Sequence, residues 1–293
     1  MEREKLNINK EQWREYFNKS DNKLVGIEEY VASINHPEFS ESRILKGFAE
    51  LFELVSNKQR KDERISLRTL SALCFSGDSK FLDQRRNFIE NICPIATTVI
   101  EPRVIMLSAY IPEDLERAIF VENFESFRAT VRAVKASKYH ATTAVIYSAG
   151  YRSSATLIRE EGNCQFVAIN QVNVTQYRLF SDWWYSTRQG IPVFFWGDLD
   201  FDGMRILKSL RNSFSNTISF RSAYEMVLNL HQKGVSHSCL NPHKGNQKDP
   251  DETGCEYADK VLLPAIRKQN KFTDQEVVGA DQIIEALMLE FSD

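Results

Sequence analysis

The chain has 293 residues, 42% hydrophobic and 26% charged, values that suit a soluble globular protein large enough to bury the cores of two domains. A formal charge of −3 excludes bulk basicity as a route to polyanions, although a local basic face can still hold nucleic acid. Five widely spaced cysteines without a Cys-x-x-Cys pair argue against a disulfide framework, and no apolar run reaches the ~18 residues of a membrane span, so a cytoplasmic protein with no membrane partner is expected.

Over residues 42–58, Ile44, Phe48, Leu51, Phe52 and Val55 recur at helical spacing and predict one amphipathic helix. Ser66 is a candidate N-cap for a short helix turning Leu67, Leu70 and Leu73 inward, and Gly77 breaks it. Residues 81–92 repeat the helical pattern, with Phe81, Leu82, Phe88, Ile89 and Ile92 buried and Lys80, Arg85 and Arg86 left exposed. Helix, glycine turn, helix makes a helix-turn-helix candidate, and residues 43–86 hold ten basic against six acidic side chains. A DNA-contacting face and an ordinary solvated helical face both fit that excess. The stretch TTVIEPRVIML, 97–107, reads as β-rich and suits a wing or a connection, with a domain boundary near residue 110.

From there strand-like runs alternate with helical ones. AIFVEN (118–123), TAVIYSAG (143–150), CQFVAIN (164–170), VFFWGDLD (193–200) and TISF (217–220) read as strands. Helical patterns at 124–137, 153–162, 176–190, 201–214 and 222–234 separate or follow them. Such alternation predicts an α/β domain with a mainly parallel sheet, in which ligands gather at the carboxyl ends of the strands. A polar loop at 241–254 leads into two more helical segments, and Thr273 with Glu276 forms a capping-box pattern before the last of them.

The sharpest chemical signal is the apolar run 192–196 ending in Gly197-Asp198-Leu199-Asp200-Phe201-Asp202-Gly203. On extended backbone, residues two apart face the same side, so Asp198 and Asp200 can aim oxygens at one point. Carboxylates this close repel, and a hard cation such as Mg²⁺ relieves the repulsion while keeping waters for catalysis. Asp202 is a further metal-ligand candidate, or a cap for the helix that follows. Glu122 ends another apolar strand and is a candidate third ligand or general base, or else a helix-start acid. Gly150 leaves room for a phosphate at the same edge, and Arg152 or Lys208 are candidate phosphate-steadying cations. Weaker constellations are His237, Cys239, His243 and Cys255 as a zinc site, and Trp183, Trp184 and Tyr185 as base-stacking residues, for which core packing is the better reading.

The Glu at a strand end, the Gly after the next strand and the later Asp-x-Asp resemble the Toprim domain of topoisomerases, primases and several nucleases. WGDLDFDGMRIL (196–207), VENFESF (121–127) and ISLRTLSALCFSGDSKFLD (65–83) are similar to the JetD nucleases of Wadjet defence systems, and DQEVV (274–278) resembles that family's late Gln-Glu motif. The resemblance implies an α/β Toprim catalytic domain over 111–293, with a sheet flanked by helices, preceded by a helical, winged-helix-like DNA-binding region over 1–110. It implies Mg²⁺-dependent cleavage, with Mn²⁺ as a substitute, by Glu122, Asp198 and Asp200, with Gln275 and Glu276 as accessory residues. Implied partners are DNA, reached in part through Lys80, Arg85 and Arg86, a second copy of the chain, and an SMC-type defence complex. Tyrosine is absent between residues 60 and 109, which favours hydrolysis by water over a topoisomerase-like tyrosine attack. A non-catalytic nucleic-acid-binding or assembly subunit is the alternative.

Overall fold

A computed structural model describes residues 30–31, 33–34, 36, 38–101, 104–150, 158–185, 190–239 and 247–292. The chain forms two compact units, Met1–Arg103 and Val104–Asp293.

In the first unit, α1 (Glu41–Arg60) is capped by Ser40, whose side chain accepts from the Arg43 amide, and it buries Ile44, Phe48, Leu51, Phe52 and Val55 as the periodicity predicts. Ser66 caps α2 (Leu67–Cys74) by accepting from the Thr69 amide. The buried face of α2 is Leu70, Ser71 and Cys74, however, and Leu73, expected inside, is 62% exposed. The second predicted helix starts late. Residues 79–85 are turns because Asp78 accepts the Lys80 and Phe81 amides while the Ser71 hydroxyl accepts Leu82 N–H, local bonds that compete with a helical ladder. Only α3 (Arg86–Ile92) is helical there; Phe81, Leu82 and Ile89 are buried as expected, while Phe88 and Ile92 are half-buried. The β-rich expectation for 97–107 holds from Ile105 onward and is corrected at its start. Residues 96–99 form a helical turn, α4 (Ala96–Val99), that buries Ala96 and Val99, so core packing overrides β-branched propensity. Ile100 makes one parallel bridge with Ile65, the only strand pairing among the described residues of this unit.

The second unit is α/β. Strand β1 (Ile105–Tyr110), which precedes the boundary read from the sequence, pairs with its sheet and so belongs here. The other sheet strands are β2 (Arg117–Val121), β3 (Thr143–Tyr147), β4 (Cys164–Ala168), β5 (Val193–Trp196) and β6 (Thr217–Ser219). Their order is β4-β1-β3-β2-β5-β6, parallel throughout except for β1 against β3. Central β2 and β5 are buried along almost their whole length, as continuous apolar runs in a parallel sheet require, whereas edge strand β4 alternates. The helices are α5 (Phe124–Ala136), α6 (Val174–Trp184), α7 (Phe201–Ser213) and α8 (Arg221–Gln232), followed by a short pair, β7 (His237–Ser238) with β8 (Lys271–Phe272), that brackets α9 (Leu263–Gln269). The final helix, α10 (Ala280–Phe291), packs against α5 and α8. It begins at Gly279, whose N–H donates to Gln282, rather than at the predicted Thr273 box. Thr273 and Glu276 lie ahead of it because Thr273 is engaged elsewhere. The first half of the helix predicted at 153–162 falls outside the described residues, and its described end is turns and a bend. Trp183 and Trp184 are core residues, and the Trp184 indole donates to Ile158 O. Among the described residues no helix is long and apolar enough to cross a membrane.

Candidate functional site

Strands β3, β2, β5 and β6 run the same way, so their carboxyl ends share one edge of the sheet. Val121 stands opposite Trp196 in the β2/β5 register, which brings Glu122 beside the Gly197-Asp198 turn. The contact is direct: the Asp198 amide donates to Glu122 Oε2 at 3.1 Å. Two glycines make the approach possible by their size. A Cβ on Gly197 would sit 2.4 Å from Glu122 Oε2, and one on Gly203 would sit 2.3 Å from Asp198 O and 3.3 Å from Glu122 Oε2.

Asp198 and Asp200 are 3% and 1% exposed. Asp198 Oδ1 accepts from the Asn123 side chain at 3.0 Å and from the Gln275 amide at 2.9 Å. Asp200 is the N-cap of α7, its Oδ1 accepting Gly203 N–H at 2.7 Å, and its Oδ2 accepts from Gln247 at 2.9 Å. The cap expected of Asp202 therefore belongs to Asp200. Asp202 lies in the first turn, paired with Arg205 at 3.2 Å, and its amide donates to Gln247.

The segment between them is splinted. Leu199 and Thr273 exchange backbone hydrogen bonds, 2.9 Å and 3.2 Å, in an isolated antiparallel bridge. The Thr273 hydroxyl donates to Val235 O at 2.9 Å, so its contact with buried His231 Nδ1 at 2.8 Å needs the histidine as donor. His231 Nε2 is buried without a hydrogen-bond partner, and burial, then Lys271, holds the imidazole below its ordinary pKa. A lowered folded-state pKa means that the unfolded chain binds the proton first as pH falls. The stability tied to neutral His231 is complete above the ordinary ~6.5 and is lost as pH drops from there toward the depressed value. Thermal melting across that window is expected to fall more steeply in the wild type than in His231→Asn, which does not titrate; equal slopes would remove His231 from the account.

The Thr273 splint also delivers the late Gln-Glu pair. Gln275 donates its amide to Asp198, while its own side chain is fully buried with neither polar atom hydrogen-bonded. Glu276 reaches solvent; partial desolvation, then Asp198 and Asp274, raise its carboxyl pKa, and a hydrogen bond from Asn123 opposes them. Beneath the site, Tyr224 Oη accepts Gly197 N–H at 2.9 Å. Full burial, then the negative charge of Glu122, pushes the Tyr224 phenol well up, which makes it a fixed support rather than an attacking phenolate.

Of the remaining predicted site residues, Lys208 is exposed and donates to Pro250 O at 3.0 Å. Gly150 has φ +65, and among the described residues no atom lies within 4 Å of where a Cβ would be. Arg152 lies outside the described residues. In the first unit Lys80 is exposed, but Arg85 stacks on Phe81 at 4.3 Å and bonds its carbonyl, and Arg86 pairs with Glu90 at 2.7 Å and donates to Glu101 O. The zinc reading is not supported: His243 lies outside the described residues, Cys255 is buried against Ser219, and His237 contacts Asp274.

Among the described residues, no three His, Cys, Asp or Glu side chains form a ready-made metal cage. Mg²⁺ does not need one. It takes one or two carboxylates, keeps several waters, and prefers the hard oxygens that Glu122, Asp198 and Asp200 supply. The donor set therefore fits a partly hydrated Mg²⁺ and not a closed, all-protein cation site.

Sequence reasoning missed Tyr224, Gln247 and His231, because a tyrosine in a helical pattern, a glutamine in a polar loop and a lone histidine carry no local sign of their partners. Asn123 was visible only as the neighbour of Glu122.

A search of the curated proteins finds no match. Residues 96–287 match the family described as Wadjet protein JetD, C-terminal, and with nearly two thirds of its length so matched the chain belongs to that family.

Proposed function

We propose that the second unit is a Toprim-type catalytic domain that hydrolyses DNA phosphodiester bonds with Mg²⁺, and that the chain is the nuclease of a Wadjet-like anti-plasmid or anti-phage system. The observation that carries this reading is the hydrogen bond from the Asp198 amide to Glu122 across two central strands, at the carboxyl edge of a mainly parallel sheet, with Asp200 capping the helix that leaves that edge. Family membership supports the defence role.

In this reading Asp198 and Asp200 hold the metal, each oriented by the bonds its carboxylate accepts, and Glu122 completes the site or takes the proton of the attacking water. Bound Mg²⁺ supplies Lewis-acid polarisation of the phosphoryl group and neutralises its charge. Asp202 stands one turn out as an outer acid, Gln275 and Glu276 flank Asp198, and Lys208 or Arg152 steadies the substrate phosphates. Tyr224 is too buried to attack and serves as a support beneath the site. The first unit, read as winged-helix-like, contributes DNA contacts through the exposed Lys80 more readily than through Arg85 and Arg86, whose guanidinium groups are already engaged. A homodimer working with an SMC-type complex completes the proposal.

The test is conversion of supercoiled plasmid to nicked or linear DNA by the purified full chain. Cleavage is expected with Mg²⁺ or Mn²⁺, is abolished by chelation, and falls more than about 100-fold in Glu122→Gln, beyond what loss of an outer-shell partner costs a metal site. Undiminished cleavage in that variant, or none in the wild type, rejects the nuclease reading in favour of a binding or assembly subunit.

A further inference from the structure

Phe124, the first residue of α5, is 48% exposed, while Phe127, one turn further on, is buried. An aromatic ring left half in water forgoes much of its burial free energy, so its position calls for a partner. The ring is held in place: it packs edge-to-face on Tyr147 with centroids 5.3 Å apart and lies 6.0 Å from Phe127. Tyr147 is the last residue of β3 and stands opposite Val121 in the β2/β3 register. The aromatic pair thus occupies the same strand ends as the acids. Phe124 follows Asn123, which is hydrogen-bonded to Asp198, and its Cα is at most about 7 Å along the chain from that of Glu122. Past Tyr147, the chain turns at Ala149 and Gly150 with φ of 49° and 65°.

We infer that Phe124, backed by Tyr147, is a stacking platform for a nucleobase next to the phosphate that the acids engage, so that the substrate is taken as an unpaired or locally opened strand. This rests on the nuclease reading and adds the state of the strand to it. Every base offers a π face, so stacking selects for exposed bases and not for sequence. Bases inside an intact duplex are stacked on their neighbours and cannot present that face without unstacking. The substrate class is therefore single-stranded ends, flaps or duplex strained open by bending. The carboxylates beside the platform repel a bare phosphate backbone, so base stacking adds an attraction that does not depend on the phosphate charge.

The test compares binding of two single strands of equal length by the full chain in Ca²⁺, followed by fluorescence anisotropy. One is an oligothymidylate, and the other carries an abasic residue at every position, with the same phosphate charge but no bases. Wild type is expected to prefer the oligothymidylate by about tenfold, near the low end of what stacking one base contributes. Phe124→Tyr keeps the preference, and Phe124→Leu, apolar and of similar bulk but without a π face, removes it. Equal affinity of wild type for the two strands overturns the platform, as does a preference that survives Phe124→Leu. So does a Phe124→Leu chain whose only change is its oligomeric mass, which would make the residue a protein contact. The two readings fail separately. A base preference without Mg²⁺-dependent cleavage rejects the nuclease alone, and cleavage without a base preference rejects the platform alone.

Discussion

Asp198→Ala is expected to abolish Mg²⁺-dependent cleavage and to destabilise the second unit, and the two effects separate in Asp198→Asn. The carboxylate is buried and accepts from Asn123 and from Gln275 N–H. Alanine leaves both donors without an acceptor, at a cost of about 1–3 kcal/mol each if they stay dry, and removes the oxygens that the metal would take. Asparagine is isosteric and keeps an oxygen for the two donors but is neutral and a far poorer Mg²⁺ ligand. It should therefore restore the melting temperature and not the cleavage. In chelator, Asp198→Asn is expected to melt no lower than wild type, since it removes a negative charge close to Glu276 and Glu122. Calorimetric titration with Mn²⁺, together with melting curves in metal and in chelator, measures both halves. Wild-type Mn²⁺ affinity in Asp198→Asn would refute the metal assignment.

Gly197→Ala carries the other large effect, and steric rather than conformational reasons decide it. Gly197 is not among the glycines with positive φ, so alanine can adopt its backbone. The added methyl, however, lies 2.6 Å from Phe195 Cζ and 2.4 Å from Glu122 Oε2. The Phe195 ring is fully buried on β5 and has little room to move, and overpacking of this kind costs about 1–3 kcal/mol. Glu122 can swing aside only by giving up the Asp198 amide, which opens the proposed metal site. A lower melting temperature and a loss of cleavage of about 100-fold or more are expected together. Adding Phe195→Leu should recover part of the stability and none of the cleavage, because it makes room on the core side only. Full recovery of both would show that Glu122 never left its place.

The helices over 41–60, 124–136 and 201–213 were legible because each presents a wide apolar stripe whose period needs no knowledge of the neighbours. The predicted helix at 81–92 was shortened by Asp78 and Ser71, and the strand expected at 97–100 became a helical turn. In both places short-range side-chain bonding and burial outweigh intrinsic propensity, a contest that a periodicity argument does not see.

The acids divide in the same way. Glu122, Asp198 and Asp200 could be picked out from the sequence because an apolar strand that stops at a carboxylate puts charge at a sheet edge whatever the strand order. Which acid caps α7 was not legible: Asp200 and Asp202 both precede the apolar face, and only the backbone turn gives Gly203 N–H to Asp200. Nor could spacing along the chain show that Thr273, 74 residues after Leu199, would bridge to it, or that Gln275 and Glu276 would close on Asp198. The sequence by itself determined an α/β unit with carboxylates at strand ends, since alternation and strand termination are local properties of the chain. The tertiary structure alone decided the meeting of Glu122 with Asp198, the Thr273 splint and the place of Phe124 beside them, because strand order and loop return are set by how whole elements pack.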